Sequence, residues 1–84
     1  MALYQILCWQ EIPSQIKAWD DFDEVRVELP QRFAAHIDHA AELRGLTKSE
    51  DYLAQWKWTD EAERPGTPEE VAAAIKQELE AKGP

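Results

Sequence analysis

The run from Leu29 to Leu46, LPQRFAAHIDHAAELRGL, constrains the fold of this chain more than any other stretch. It carries its own start, apolar stripe and stop. Pro30 stands where a first-turn proline is tolerated, because its missing N–H would have no partner there and its fixed φ suits a helix start. No Gly or Pro follows until Gly45. Phe33, Ile37, Ala40 and Ala41 recur at helical spacing with Leu43 at the stripe's edge, and Arg32, Asp38 and Glu42 point the other way. Gly45 fits a left-handed C-cap, onto which Leu46 can fold back. A helix of this length is marginal alone in water. Its stripe therefore demands a partner surface, which the flanking segments supply.

Ala2 to Trp9 reads as a strand rich in β-formers. Tyr4, Ile6 and Cys8 share one face and Leu3, Leu7 and Trp9 the other, with Gln5 the polar exception. Two apolar faces predict a central strand or a sheet with a second covered surface. Gln10 to Ser14 is a connection broken by Pro13, and Gln15 to Trp19 alternates as a second, antiparallel strand. Asp20 to Glu24 is a turn. Val25 and Val27 alternate with Arg26 and Glu28, which favours a short third strand over an early helix start near Asp23.

After the helix, Thr47 and Glu50 have capping-box spacing, so one helical turn fits Thr47 to Asp51. Tyr52 to Thr59 alternates and predicts a strand burying Tyr52, Ala54, Trp56 and Trp58. Asp60 to Gly66 reads as an acidic loop. Thr67 as N-cap, Pro68 at N1 and Glu70 at N3 open a second helix, with Val71, Ala72, Ile75 and Leu79 as its stripe and Lys82 and Gly83 at its stop. The order β-β-(β)-α-β-α predicts an α+β fold. It would be a small two-layer sandwich, a mainly antiparallel sheet of three to four strands covered by two helices.

Eighty-four residues make one domain, residues 1–84. Such a chain buries only about 60–65% of its unfolded surface, so a homodimer interface would be a natural supplement to the core. The net charge of −8 sets the chain against phosphate backbones and anionic lipid, so neither nucleic acid nor membrane is expected as a partner. Cys8 is the only cysteine, which fits a reducing cytoplasm. The N-terminus lacks the basic and long apolar regions of a signal peptide, and no run is long enough to span a bilayer.

Chemistry is sparse. His36 and His39 lie three apart on the helix with Asp38 between them, and such a group could hold a divalent metal or move protons. Two histidines on one helix still need a third ligand, HIDH matches no zinc motif, and Asp38 points away from both. A structural histidine at the stripe's edge is the simpler account. Cys8 as a nucleophile needs a base and an electropositive setting, whereas on a central strand it packs as a small hydrophobe. The acidic runs at Asp20 to Glu24 and Asp60 to Glu63 lack calcium-loop spacing. No phosphate-binding loop or paired metal motif is present, so no cofactor is expected. The four tryptophans say more. Trp56 is expected in the core. Trp9, Trp19 and Trp58 fall at or near strand ends, where full burial is harder, and aromatic anchors of this kind are enriched at protein interfaces. The competing account is that all four fill a small core.

LYQILCWQEIPSQIKA, LPQRFAAHIDHAA, GLTKSEDYLAQW and PEEVAAAIKQELE together resemble the bacterial virulence factor family, and also the C-terminal module of larger proteins of the conserved virulence factor C type. The likeness runs over nearly the whole chain and rests on no catalytic signature. It implies a bacterial, cytoplasmic domain and carries over no catalytic residue. The expected function is a cytoplasmic protein-interaction or accessory module binding a protein through Trp9, Trp19 and Trp58. The alternative is a small, metal-dependent enzyme or enzyme subunit using His36 and His39.

Overall fold

The computed structural model describes residues 1–83. Five strands and three helices follow in the order β1 (Ala2–Trp9), β2 (Ile12–Trp19), β3 (Glu24–Glu28), α1 (Gln31–Leu43), α2 (Ser49–Leu53), β4 (Trp56–Trp58), β5 (Ala62–Arg64) and α3 (Pro68–Lys82). The fold is α+β, an antiparallel sheet with its long helices on one face. The molecule measures 40 × 25 × 15 Å, a flat slab as expected of two layers.

β1 is central. β2 pairs along its length on one side. On the other side β4 pairs with Leu7 to Trp9 and β5 with Ala2 to Tyr4. Thr59 fills the gap between those two short strands: its N–H donates to the Ile6 carbonyl and its Oγ1 accepts from the Ile6 N–H, both at 2.9 Å. β3 pairs with β2 and forms the far margin.

α1 ends as its sequence predicts. Gly45 has φ +68°, and the N–H groups of Gly45 and Leu46 donate to Glu42 and Ala41, the paired bonds of a Schellman cap. α3 starts on a complete capping box between Thr67 and Glu70. Phe33 from α1 and Val71, Ala72 and Ile75 from α3 bury Ala2, Ile16 and Ala18 of the sheet, with Tyr4, Ile6, Val25 and Val27 packed alongside. A second cluster joins Trp9 and Ile12 to Ile37, Ala40 and Ala41, flanked by Leu46, Tyr52 and Trp56.

Four expectations need correction. β2 begins at Ile12, not Gln15, because the β1 pairing skips Ser14 and this bulge accommodates Pro13 inside the strand. Tyr52 to Thr59 is not one strand. Tyr52 lies in the last turn of the short helix α2, which ends at Leu53, and only Trp56 to Trp58 is extended. The apparent alternation spans two elements, and Tyr52 from α2 meets Trp56 from β4 edge to face with ring centroids 6.0 Å apart. The acidic segment Asp60 to Gly66 contains β5, because the edge of β1 at Ala2 to Tyr4 offers it a ladder. Trp9, expected on an exposed rim, is 0% exposed. It lies beyond the bulge at the end of the hairpin, where the second half of α1 and the residues around α2 close over it.

Candidate functional site

The helices leave one sheet face open. Opposite residues in a ladder share a face, so the strand registers define its rungs. Glu24, Trp19, Leu3 and Glu63 form one, Arg26, Lys17 and Gln5 the next, and Glu28, Gln15, Leu7 and Trp58 the third. Leu3, Leu7, Lys17 and Trp19 are half-buried, and Trp58 is 39% exposed.

Lys17 holds this face together. Its Nζ lies 5.1 Å from the Trp19 ring centroid and 6.0 Å from that of Trp58, within cation–π range of both. It also stands 3.8 Å from a Glu24 carboxylate oxygen. Its stem covers apolar surface while its charge stays wet. Beside Trp19, a groove of about 270 Å³ runs along Met1, Leu3, Asp20, Asp21 and Glu63. Asp20 Oδ1 accepts the Asp23 and Phe22 N–H groups, each at 2.8 Å, and these bonds hold its carboxyl below the usual range. The face therefore carries a polar middle rung, Arg26, Lys17 and Gln5, between two rungs that bear Leu3 with Trp19 and Leu7 with Trp58, and it has carboxylates at both margins.

Of the three expected anchors, the structure brings Trp19 and Trp58 together on this face through Lys17. It takes Trp9 away. The Trp9 indole N–H donates to the Tyr52 carbonyl at 2.9 Å, and its ring lies 5.7 Å from that of Tyr52. Burial, then the nearby charge of Asp38, pushes the Tyr52 phenol above its ordinary pKa. Leu3, Leu7 and Lys17 were not singled out from the sequence. The signal was there in the apolar second side of β1, which was consistent with a second covered surface and is half-open instead.

His36 and His39 are both exposed on α1. His36 borders a groove of about 370 Å³ with Glu11, Ile12, Pro13, Leu79 and Lys82, which His39 does not line. Among the described residues, no group of three or more His, Cys, Asp or Glu side chains is placed to hold a metal ion. Burial raises the pKa of the Cys8 thiol, which opposes thiolate formation at neutral pH. Nor is any helix among the described residues long and apolar enough to cross a membrane.

The model of the virulence factor family matches residues 7–84. The chain is similar to the conserved virulence factor C of Staphylococcus aureus strain MRSA252, with 32% identity over 80 residues. That alignment covers 95% of this chain and 20% of the relative, so the chain spans about a fifth of the relative's length. No solved structure matches it. With the alignment reaching from the sheet through α3, this chain belongs to the virulence factor family.

Proposed function

We propose that the chain is a cytoplasmic protein-interaction or accessory module that docks a protein partner on the open face of its sheet. The observation behind this reading is the layer arrangement. One sheet face is covered by α1 and α3, and the other presents Leu3, Leu7, Trp19 and Trp58 around a single lysine. Aromatic anchors ringed by polar groups are the usual anatomy of a docking patch. The carboxylates of Asp20, Asp21, Glu24, Glu28 and Glu63 at its margins call for a partner with apolar side chains to seat against the two tryptophans and a lysine- and arginine-rich rim. They also oppose self-association face to face, since each copy carries −8. The single unpaired Cys8 is consistent with a reducing compartment. The Staphylococcus aureus relative supports an accessory role, because there a similar domain is joined to four times its own length of other polypeptide.

The test is cross-linking in cells followed by mass spectrometry, comparing the natural chain with Trp58→Ala and Lys17→Glu. Both variants are expected to remain folded by circular dichroism and to lose the same cross-linked protein. If the folded variants retain that protein, the open face is not the docking surface.

A further inference from the structure

The outer margin of β3 carries a second surface, in its backbone edge, beside the open face whose rim Glu24 and Glu28 also form. The hydrogen-bond phase of the strand shows which of its backbone groups point outward. The Leu29 N–H donates to the Ser14 carbonyl at 2.9 Å, continuing a register that sets Val27 opposite Ile16 and Val25 opposite Ala18. In an antiparallel ladder alternate residues direct both N–H and C=O to the same side. Val25 and Val27 therefore turn theirs to β2, and Glu24, Arg26 and Glu28 turn theirs outward from the sheet. All three of those residues are exposed, and the pairing of β3 with β2 is free of bulges.

Charge on an edge strand ordinarily keeps copies apart. Here the signs alternate, so the edge complements itself in some registers and repels itself in others. Antiparallel pairing of two copies centred on Arg26 would set Glu24 against Glu28 and Arg26 against Arg26. Centred on Val27, it would set Arg26 against Glu28 of the second copy but also Glu24 against Pro30, which has no N–H to give. Centred on Val25, it sets each Glu24 against Arg26 of the second copy and Val25 against its own equivalent.

We propose that β3 is a dimerisation edge, pairing antiparallel with β3 of a second copy about Val25. The N–H and C=O groups of Glu24 and Arg26 are exchanged across a two-fold axis normal to the sheet. This is an isologous contact that closes at two copies. Opposite charges facing each other across a ladder stabilise the pair. Repulsion between the two acidic bodies is damped beyond about 8 Å at physiological ionic strength. The joined sheet places both open faces on the same side, so a partner with two matching patches would bind by avidity.

The experiment is sedimentation equilibrium of the natural chain, Arg26→Pro, Arg26→Glu and the double variant Glu24→Arg with Arg26→Glu. The natural chain is expected at twice its own mass. Arg26→Pro removes an outward N–H that β2 does not use, a position where an edge strand tolerates proline. It is expected to be a folded monomer by circular dichroism. If it unfolds instead, the charge variants decide. Arg26→Glu should weaken the dimer about tenfold. Adding Glu24→Arg should restore it and also preserve the intrachain pair that these residues make at 3.5 Å. A natural chain that stays monomeric at every concentration overturns the proposal, as does a dimer that Arg26→Glu leaves intact. Rescue by Glu28→Arg in place of Glu24→Arg overturns the register about Val25.

Discussion

Trp9 and Trp58 show how little a residue's type decides about its role. Both are strand tryptophans. One has its indole N–H satisfied inside a cluster of aliphatic and aromatic side chains, and the other stands against Lys17 and solvent. Removing a fully buried indole loses transfer energy and leaves a cavity. Trp9→Ala is therefore expected to cost about 3–5 kcal/mol, which threatens folding in a chain this small. Trp58→Ala, at a site already 39% exposed, should cost clearly less, about 1–2 kcal/mol. Urea unfolding of the two variants checks the contrast, and equal losses would move Trp58 into the core.

At the scale of elements, the two long helices are held at their ends by different devices. α1 has no side-chain N-cap bond and depends on its C-terminal Schellman turn. Gly45 has open space around the position a Cβ would occupy, so Gly45→Ala meets no clash and pays only for φ +68°. The expected cost is about 1 kcal/mol. Thr67→Ala in α3 loses the bond from the Glu70 N–H at 3.2 Å, for a similar loss of about 1 kcal/mol. Thermal unfolding of each variant measures both. Arg44, just past α1, bonds to the side chains of Gln10 and Glu11 and so ties the helix end to the β1–β2 turn. That turn holds Gln10 at φ 54°, with its N–H on the Gln55 carbonyl at 3.0 Å.

For the molecule as a whole, charge sets the response to acid. The carboxyls of Glu11, Asp20, Glu70 and Glu78 are all held below their ordinary pKa values. Arg44 does this for Glu11 and Arg64 for Glu78. Backbone N–H groups do it for Asp20 and for Glu70. A depressed folded-state pKa means that the unfolded chain takes up protons first as pH falls. The stability these groups contribute is present above the ordinary carboxylate range. It is lost as pH falls through that range to the folded-state values. The urea midpoint should therefore fall on acidification, and Glu78→Gln should make that fall shallower by removing one linked proton. Glu11, Glu70 and Glu78 are solvent-exposed and Asp20 is half-buried, so salt should also reduce the effect.

What could be read from the residues alone was whatever rests on local signals. Pro30 to Gly45 and Thr67 to Gly83 mark their helices because caps and 3.6-residue stripes act within a few neighbours. Ala2 to Trp9 declares a central strand because both of its sides are apolar. Alternation failed where one apparent pattern spans two elements, so Tyr52 and Trp56 passed for neighbours in one strand when Tyr52 lies in α2 and Trp56 opens β4. β5 was missed because AER has no strand character of its own and is extended only by the vacant edge of β1. The fates of the tryptophans, too, had to wait for tertiary structure. Burial of Trp9 depends on α1 and Tyr52, and the meeting of Trp19 with Trp58 depends on two strands that flank β1. Contacts between residues about 40 apart in the chain leave no trace in the periodicity of either segment, because each segment's pattern records only that one of its sides avoids water.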